Sequence, residues 1–76
     1  KDTQLYPSIN DGYFYINLGE NIDQTTLMVF SAVGEVVMHT TLDHDKWINI
    51  HGVPAGYYSV CLSTADVVKV YKIIVY

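Results

Sequence analysis

Three histidines and two aspartates are the first residues in this chain whose types suggest chemistry. His39, His44 and His51, with Asp43 and Asp45, are donors of the kind a metal ion takes. A built metal centre needs such donors at ligand spacing, as in paired CxxC motifs or HExxH on a helix, and neither spacing occurs. Asp43-His44-Asp45 lies between two apolar runs, where three polar residues suit a hairpin turn. Cys61 would act as a nucleophile beside a histidine base, but no cysteine-peptidase signature surrounds it. It reads instead as a small hydrophobe on a strand, partly exposed. The serines are scattered without a GxSxG elbow, and no glycine-rich phosphate loop is present. We therefore expect no catalytic constellation, no cofactor and no metal, and a domain that is not itself an enzyme.

What remains is the chemistry of recognition. Tyr13, Tyr15 and Trp47 alternate onto the face opposite the expected core. Such an aromatic patch packs under a loop, meets a partner or stacks on a sugar, and packing or partner contact is the preferred reading. Lys69 and Lys72 are half of the 4 cationic residues. Their three-residue spacing puts them on opposite faces of a regular strand, and only a bulge or a strand end would expose both side by side. Lysines also protect an edge strand from pairing with other chains. Edge protection and direct recognition both suit them.

The elements that position these residues are strands, because the apolar period is two. Phe14, Ile16 and Leu18 share one face, Ile48 and Ile50 another, and Tyr58, Val60 and Leu62 a third. Leu27 to Phe30, Val36 to Thr41 and the β-branched run Val67 to Val75 complete the series. Asn10-Asp11-Gly12, Ala32-Val33-Gly34-Glu35, Asp43-His44-Asp45, Pro54-Ala55-Gly56 and Thr64-Ala65-Asp66 break the runs as turns do. With a short opening strand near Gln4-Leu5-Tyr6, the pattern predicts an all-β, antiparallel sandwich of about seven strands. Gly12 stands where a turn takes positive φ, and Gly56 where the chain bends tightly into a strand. Tyr58 is placed to bury its ring and send its hydroxyl to a backbone carbonyl, the tyrosine corner of immunoglobulin-like folds.

Composition agrees. The chain has 76 residues, 50% hydrophobic and 13% aromatic, with 16% charged and a net charge of −4. That length is one small domain, and a lone cysteine leaves the apolar core as its source of stability. The acidic balance argues against nucleic acid. No apolar run reaches the ~20 residues of a membrane-spanning helix. The polar start, Lys1-Asp2-Thr3-Gln4, has no signal-peptide apolar region and no initiator Met, so we expect a tail piece of a larger precursor.

Four stretches carry a family resemblance. Tyr6-Pro7-Ser8-Ile9-Asn10-Asp11-Gly12 resembles the tyrosine-proline opening of C-terminal sorting domains of the type IX (Por) secretion system. Val29 to Val37 resembles that family's strand–turn–strand, with Gly34 at the turn. Ile48 to Val60 resembles its Ile-x-Ile strand leading to Gly-x-Tyr-x-Val, which places Gly56, Tyr58 and Val60 in the motif. Lys69 to Val75 resembles its lysine-containing end, with Lys69, Lys72, Ile73 and Val75. The chain departs from the pattern at Ile9 (usually a second proline), at Ser31 (a turn that usually begins with Asp) and at Tyr76 (often Lys).

The resemblance implies an immunoglobulin-like domain, residues 1–76, at the C-terminus of a Bacteroidetes cargo protein. Its expected partners are N-terminal cargo domains, the outer-membrane translocon and a sortase-like cysteine peptidase that removes the domain at the cell surface. The cargo would pass through the periplasm and outer membrane and end secreted or surface-bound. Exposed strand edges would also allow a strand-swapped dimer. Two other readings compete: an accessory module of a secreted protein, such as a carbohydrate-binding module, and an adhesive repeat. Placement at the extreme C-terminus of the precursor would favour the sorting signal, and glycan binding the accessory module.

Overall fold

A computed structural model describes residues 3–19 and 24–76; Lys1 and Asp2, half of the polar start, lie outside the described residues. The described chain is all β. Its strands are β1 (Gln4–Tyr6), β2 (Ile9–Asn10), β3 (Tyr13–Asn17), β4 (Thr25–Ser31), β5 (Val36–Leu42), β6 (Lys46–Asn49), β7 (Gly56–Ser63) and β8 (Val68–Val75). They form a three-stranded sheet in the order β1-β3-β6 and a five-stranded sheet in the order β2-β8-β7-β4-β5. This is the expected sandwich.

Period-two patterning decides which side chains face inward. Phe14 and Ile16 of β3 and Ile48 of β6 meet Leu27 and Val29 of β4, Tyr58, Val60 and Leu62 of β7, and Ile73 and Val75 of β8 in one core. Leu18 and Ile50 continue that core just beyond the strand ends.

Two features go beyond the sequence pattern. The two-residue β2 runs parallel to β8, pairing Ile9 with Ile74 and Asn10 with Val75, whereas every other pairing is antiparallel. The opening segment thus crosses from the three-stranded sheet to the five-stranded one and back, with a cis Tyr6–Pro7 bond at the first crossing. Asp43-His44-Asp45, expected as a hairpin turn, instead carries the chain from β5 in one sheet to β6 in the other. Alternation tells which face of a strand is buried, not which sheet it joins. Leu42 and Ile48 reach the same core from opposite layers, and β6 pairs with β3.

Candidate functional site

Motif residues scattered along the chain gather at one end of the sandwich. Across β7 and β8, Gly56 lies opposite Val75, and Tyr58 opposite Ile73. On the other side of β7, Tyr58 faces Ser31, which begins the turn containing Gly34. β2 joins Val75 from the remaining side, and Tyr76 donates its N–H to the Asn10 carbonyl at 2.9 Å. Residues more than sixty positions apart in sequence become neighbours because β8 lies between β2 and β7.

Each corner has a local cause. The Tyr58 hydroxyl donates to the Pro54 carbonyl at 2.5 Å while its ring is buried, which is the expected tyrosine corner. Gly12 has φ +99°, and a Cβ there would come within 3.4 Å of the His51 backbone. Its carbonyl accepts the Ile50 N–H at 2.7 Å, tying the opening turn to the segment after β6. Gly34 closes a tight turn through its N–H to the Ser31 carbonyl at 2.9 Å. Val60 is fully buried between Val29 and Tyr71 in the sheet. Tyr6 and Pro7, at the sheet crossing, are both exposed.

Asn10 is the residue the motif reading passed over. Its side chain is buried, donates to the Pro7 carbonyl at 2.8 Å and accepts the Gly12 N–H at 2.8 Å. One amide therefore fixes both the crossing and the turn. The signal was present in Asn10-x-Gly12, because an Asn two residues before a turn glycine favours an Asx turn. Thr3 was missed as well: its carbonyl accepts the Tyr71 hydroxyl at 2.8 Å, fastening the start of the chain to the last strand.

The two lysines part as strand geometry requires. Lys69, opposite Leu62, shares the face of Tyr71, Ile73 and Val75 and is half-buried; Lys72, opposite Ser59, is exposed on the outer face. β8 is regular throughout, so no bulge brings them together. β2 covers only Ile74 and Val75, and the strand-pairing edge of β8 before them carries both lysines. The outer face around Lys72 is apolar, with exposed Val68, Val70 and Ile74 on the same strand and Tyr57 beside Ile74.

The aromatic patch forms on the outer face of the three-stranded sheet. Tyr6, Tyr15 and Trp47 lie directly across neighbouring strands, with centroids 5.6 Å and 5.1 Å apart along the row. Tyr13 stacks on Trp47 at 4.7 Å and 12°. Those two rings cover one another's faces, which favours cross-strand packing over a flat sugar platform. Asp45 anchors the neighbouring backbone by accepting the Leu18 N–H at 2.8 Å. Desolvation, followed by the charges of Asp45 and Tyr6, raises the Tyr15 hydroxyl above its ordinary pKa of 10.0. A raised folded pKa gives stability that is complete below the unfolded value and lost as pH climbs through the folded one. Unfolding measured from pH 9 to 12 should therefore show a steeper alkaline loss of stability in the parent than in Tyr15→Phe. Parallel curves would contradict that placement.

The polar residues first considered for chemistry lie apart. Asp43 and His44 bond each other at 2.5 Å on the surface, His39 is exposed on β5, and His51 follows β6 in an exposed turn. Among the described residues no group of three His, Cys, Asp or Glu is placed to hold a metal ion. Cys61 is half-buried on the outer side of β7, opposite Met28 and Val70.

Comparison with known families gives a match, over residues 4–76, to the model described as the secretion system C-terminal sorting domain. A search of the curated proteins found no match.

Proposed function

This chain belongs to the secretion system C-terminal sorting domain family, and from that premise we propose that it acts as a folded address on a cargo protein attached to its N-terminal side. Family membership carries export to the cell surface or medium and engagement with the type IX secretion machinery. The finer reading is that the cargo reaches the periplasm, the translocon of the outer membrane reads the domain, and a sortase-like peptidase severs it at the surface. The domain contributes no catalysis of its own to this sequence of events.

The observation that carries the proposal is the match over residues 4–76. The geometry supports it, because the family-motif residues Gly12, Gly34, Gly56, Tyr58, Ile73 and Val75 converge at one end of the sandwich. A signal assembled from distant segments exists only in the folded chain. Lys72, a lone cation on the apolar outer face of β8, is the residue of that strand best placed for direct contact.

The test fuses residues 1–76 behind a periplasmic reporter in a type IX-competent host. Export of the reporter is the expected result, and its retention in the periplasm would contradict the proposal. Lys72→Glu should leave the circular dichroism spectrum and melting temperature unchanged. It should cut export by about tenfold, the scale of one lost charge-assisted contact. Undiminished export by that variant would remove Lys72 from the recognised surface.

A further inference from the structure

The two edges of the five-stranded sheet are treated differently by the sequence. At one edge, the stretch of β8 not covered by β2 carries Lys69 and Lys72, as protected edges commonly do. The other edge is β5, which pairs with β4 on one side and, among the described residues, with nothing on the other. Val36 to Leu42 contains no Lys, Arg, Asp, Glu or Pro. The register shift between Val29 and Phe30 leaves Val37 without a partner on β4, so the regular ladder runs from Met38 to Leu42. Half the backbone N–H and C=O groups of an edge strand point away from the sheet, and they form a template for another extended chain.

Two further observations describe the chain that fits. Exposed acidic residues bracket the strand, Glu35 before it and Asp43 after it. A shallow groove of about 280 Å³ opens at its first end, lined by Ala32, Val33, Val37, Pro54 and Tyr57, with Glu35 as its charged member. A second copy of this chain is a poor occupant. Antiparallel self-pairing centred on His39 sets Glu35 of one copy against Asp43 of the other at both ends of the pair, and like charges across a strand pair repel. A cation-flanked segment meets attraction at the same two places.

We propose that the open edge of β5 is a strand-addition site for an extended polypeptide segment of a partner protein, uncharged over about seven residues and flanked on each side by lysine or arginine. Backbone hydrogen bonds along Met38–Leu42 hold the segment, its cations face Glu35 and Asp43, and an apolar side chain near one end seats in the groove beside Val37. This site is separate from the apolar face of β8 and does not depend on what reads that face.

The probe is a synthetic nonapeptide of alternating threonine and valine between two terminal lysines, its ends blocked, compared with the same peptide carrying terminal glutamates. Isotope-labelled 76-residue chain is titrated with each at low salt while amide shifts and hydrogen exchange are followed. The lysine peptide should protect amides of Met38–Leu42 and bind about tenfold more tightly than the glutamate peptide, since two attractions replace two repulsions. The double variant E35K/D43K, on the protein surface, should keep the parent spectrum and reverse the preference. Equal binding of the two peptides, perturbations at β8 or the aromatic row instead, an unreversed preference in the variant, or occupation of the edge by a second copy at the titrated concentrations would each overturn the proposal.

Discussion

Replacing Phe14 with alanine should remove about 3–5 kcal/mol of stability. Phe14 is fully enclosed, lies opposite Ile48 on β6, and is the largest side chain of the three-stranded sheet directed at the other layer. Truncation loses both the transfer free energy of the ring and the contacts around the void it leaves. A chain of this length has roughly 4–11 kcal/mol in total, so one substitution consumes a large part of it. Urea unfolding should show the midpoint shift, and the melting temperature should fall by more than about 10 °C. A change below about 1 kcal/mol would mean that the two sheets do not close on Phe14. The same variant bears on function: if the folded surface is what the secretion machinery reads, export of a fused reporter should fall as the unfolded fraction rises. Export at the parental level from a largely unfolded variant would show that a linear segment suffices.

Asn10→Ala should cost about 2–4 kcal/mol, more than a polar residue in a turn ordinarily does. The substitution leaves two backbone groups, the Pro7 carbonyl and the Gly12 N–H, without the side-chain partners they now have. It does so where the residue is only 3% exposed, so water replaces the amide poorly. The consequence should spread to the last strand, because the Asn10 carbonyl receives the Tyr76 N–H and the Ser8 carbonyl receives the Ile74 N–H. Hydrogen exchange should therefore quicken at Ile74 and Tyr76, distant in sequence from the substitution, while the β4–β5 pair keeps its protection. Faster exchange confined to residues 7–12 would show that the crossing and the last strand are not coupled. Serine at position 10 is the useful control: its one oxygen, on a shorter side chain, stands in for the two separate amide atoms of Asn10 and should recover only part of the loss.

The contrast between these two residues shows what was readable in advance. Phe14 was legible because alternation with Tyr13 and Tyr15 fixes its face, and a large apolar side chain on that face has one stable destination. Tyr58 was legible for the same reason, together with a proline-glycine corner just before it. Asn10 was visible only as a turn former, since its burial depends on β2 lying against β8, a pairing made by two residues. The separation of Lys69 and Lys72 to opposite faces followed from their spacing alone. That their strand is covered on one side for only its last two residues followed from nothing in the local pattern.

The sequence by itself determined the strands other than β2, their inward faces, the turn glycines and the tyrosine corner. These follow from short-range rules, the two-residue period and the φ angles open to glycine, which neighbours along the chain suffice to express. Its ordered motifs also indicated the family that the match over residues 4–76 then established. Only the tertiary structure decided which sheet each strand entered, that Asp43-His44-Asp45 spans the two layers, and that the opening and closing motifs share one end of the sandwich. It likewise left β5 as the edge without lysines. The physical reason is that strand pairing satisfies backbone groups common to every residue, so side-chain pattern fixes the face of a strand while the whole core selects its neighbour.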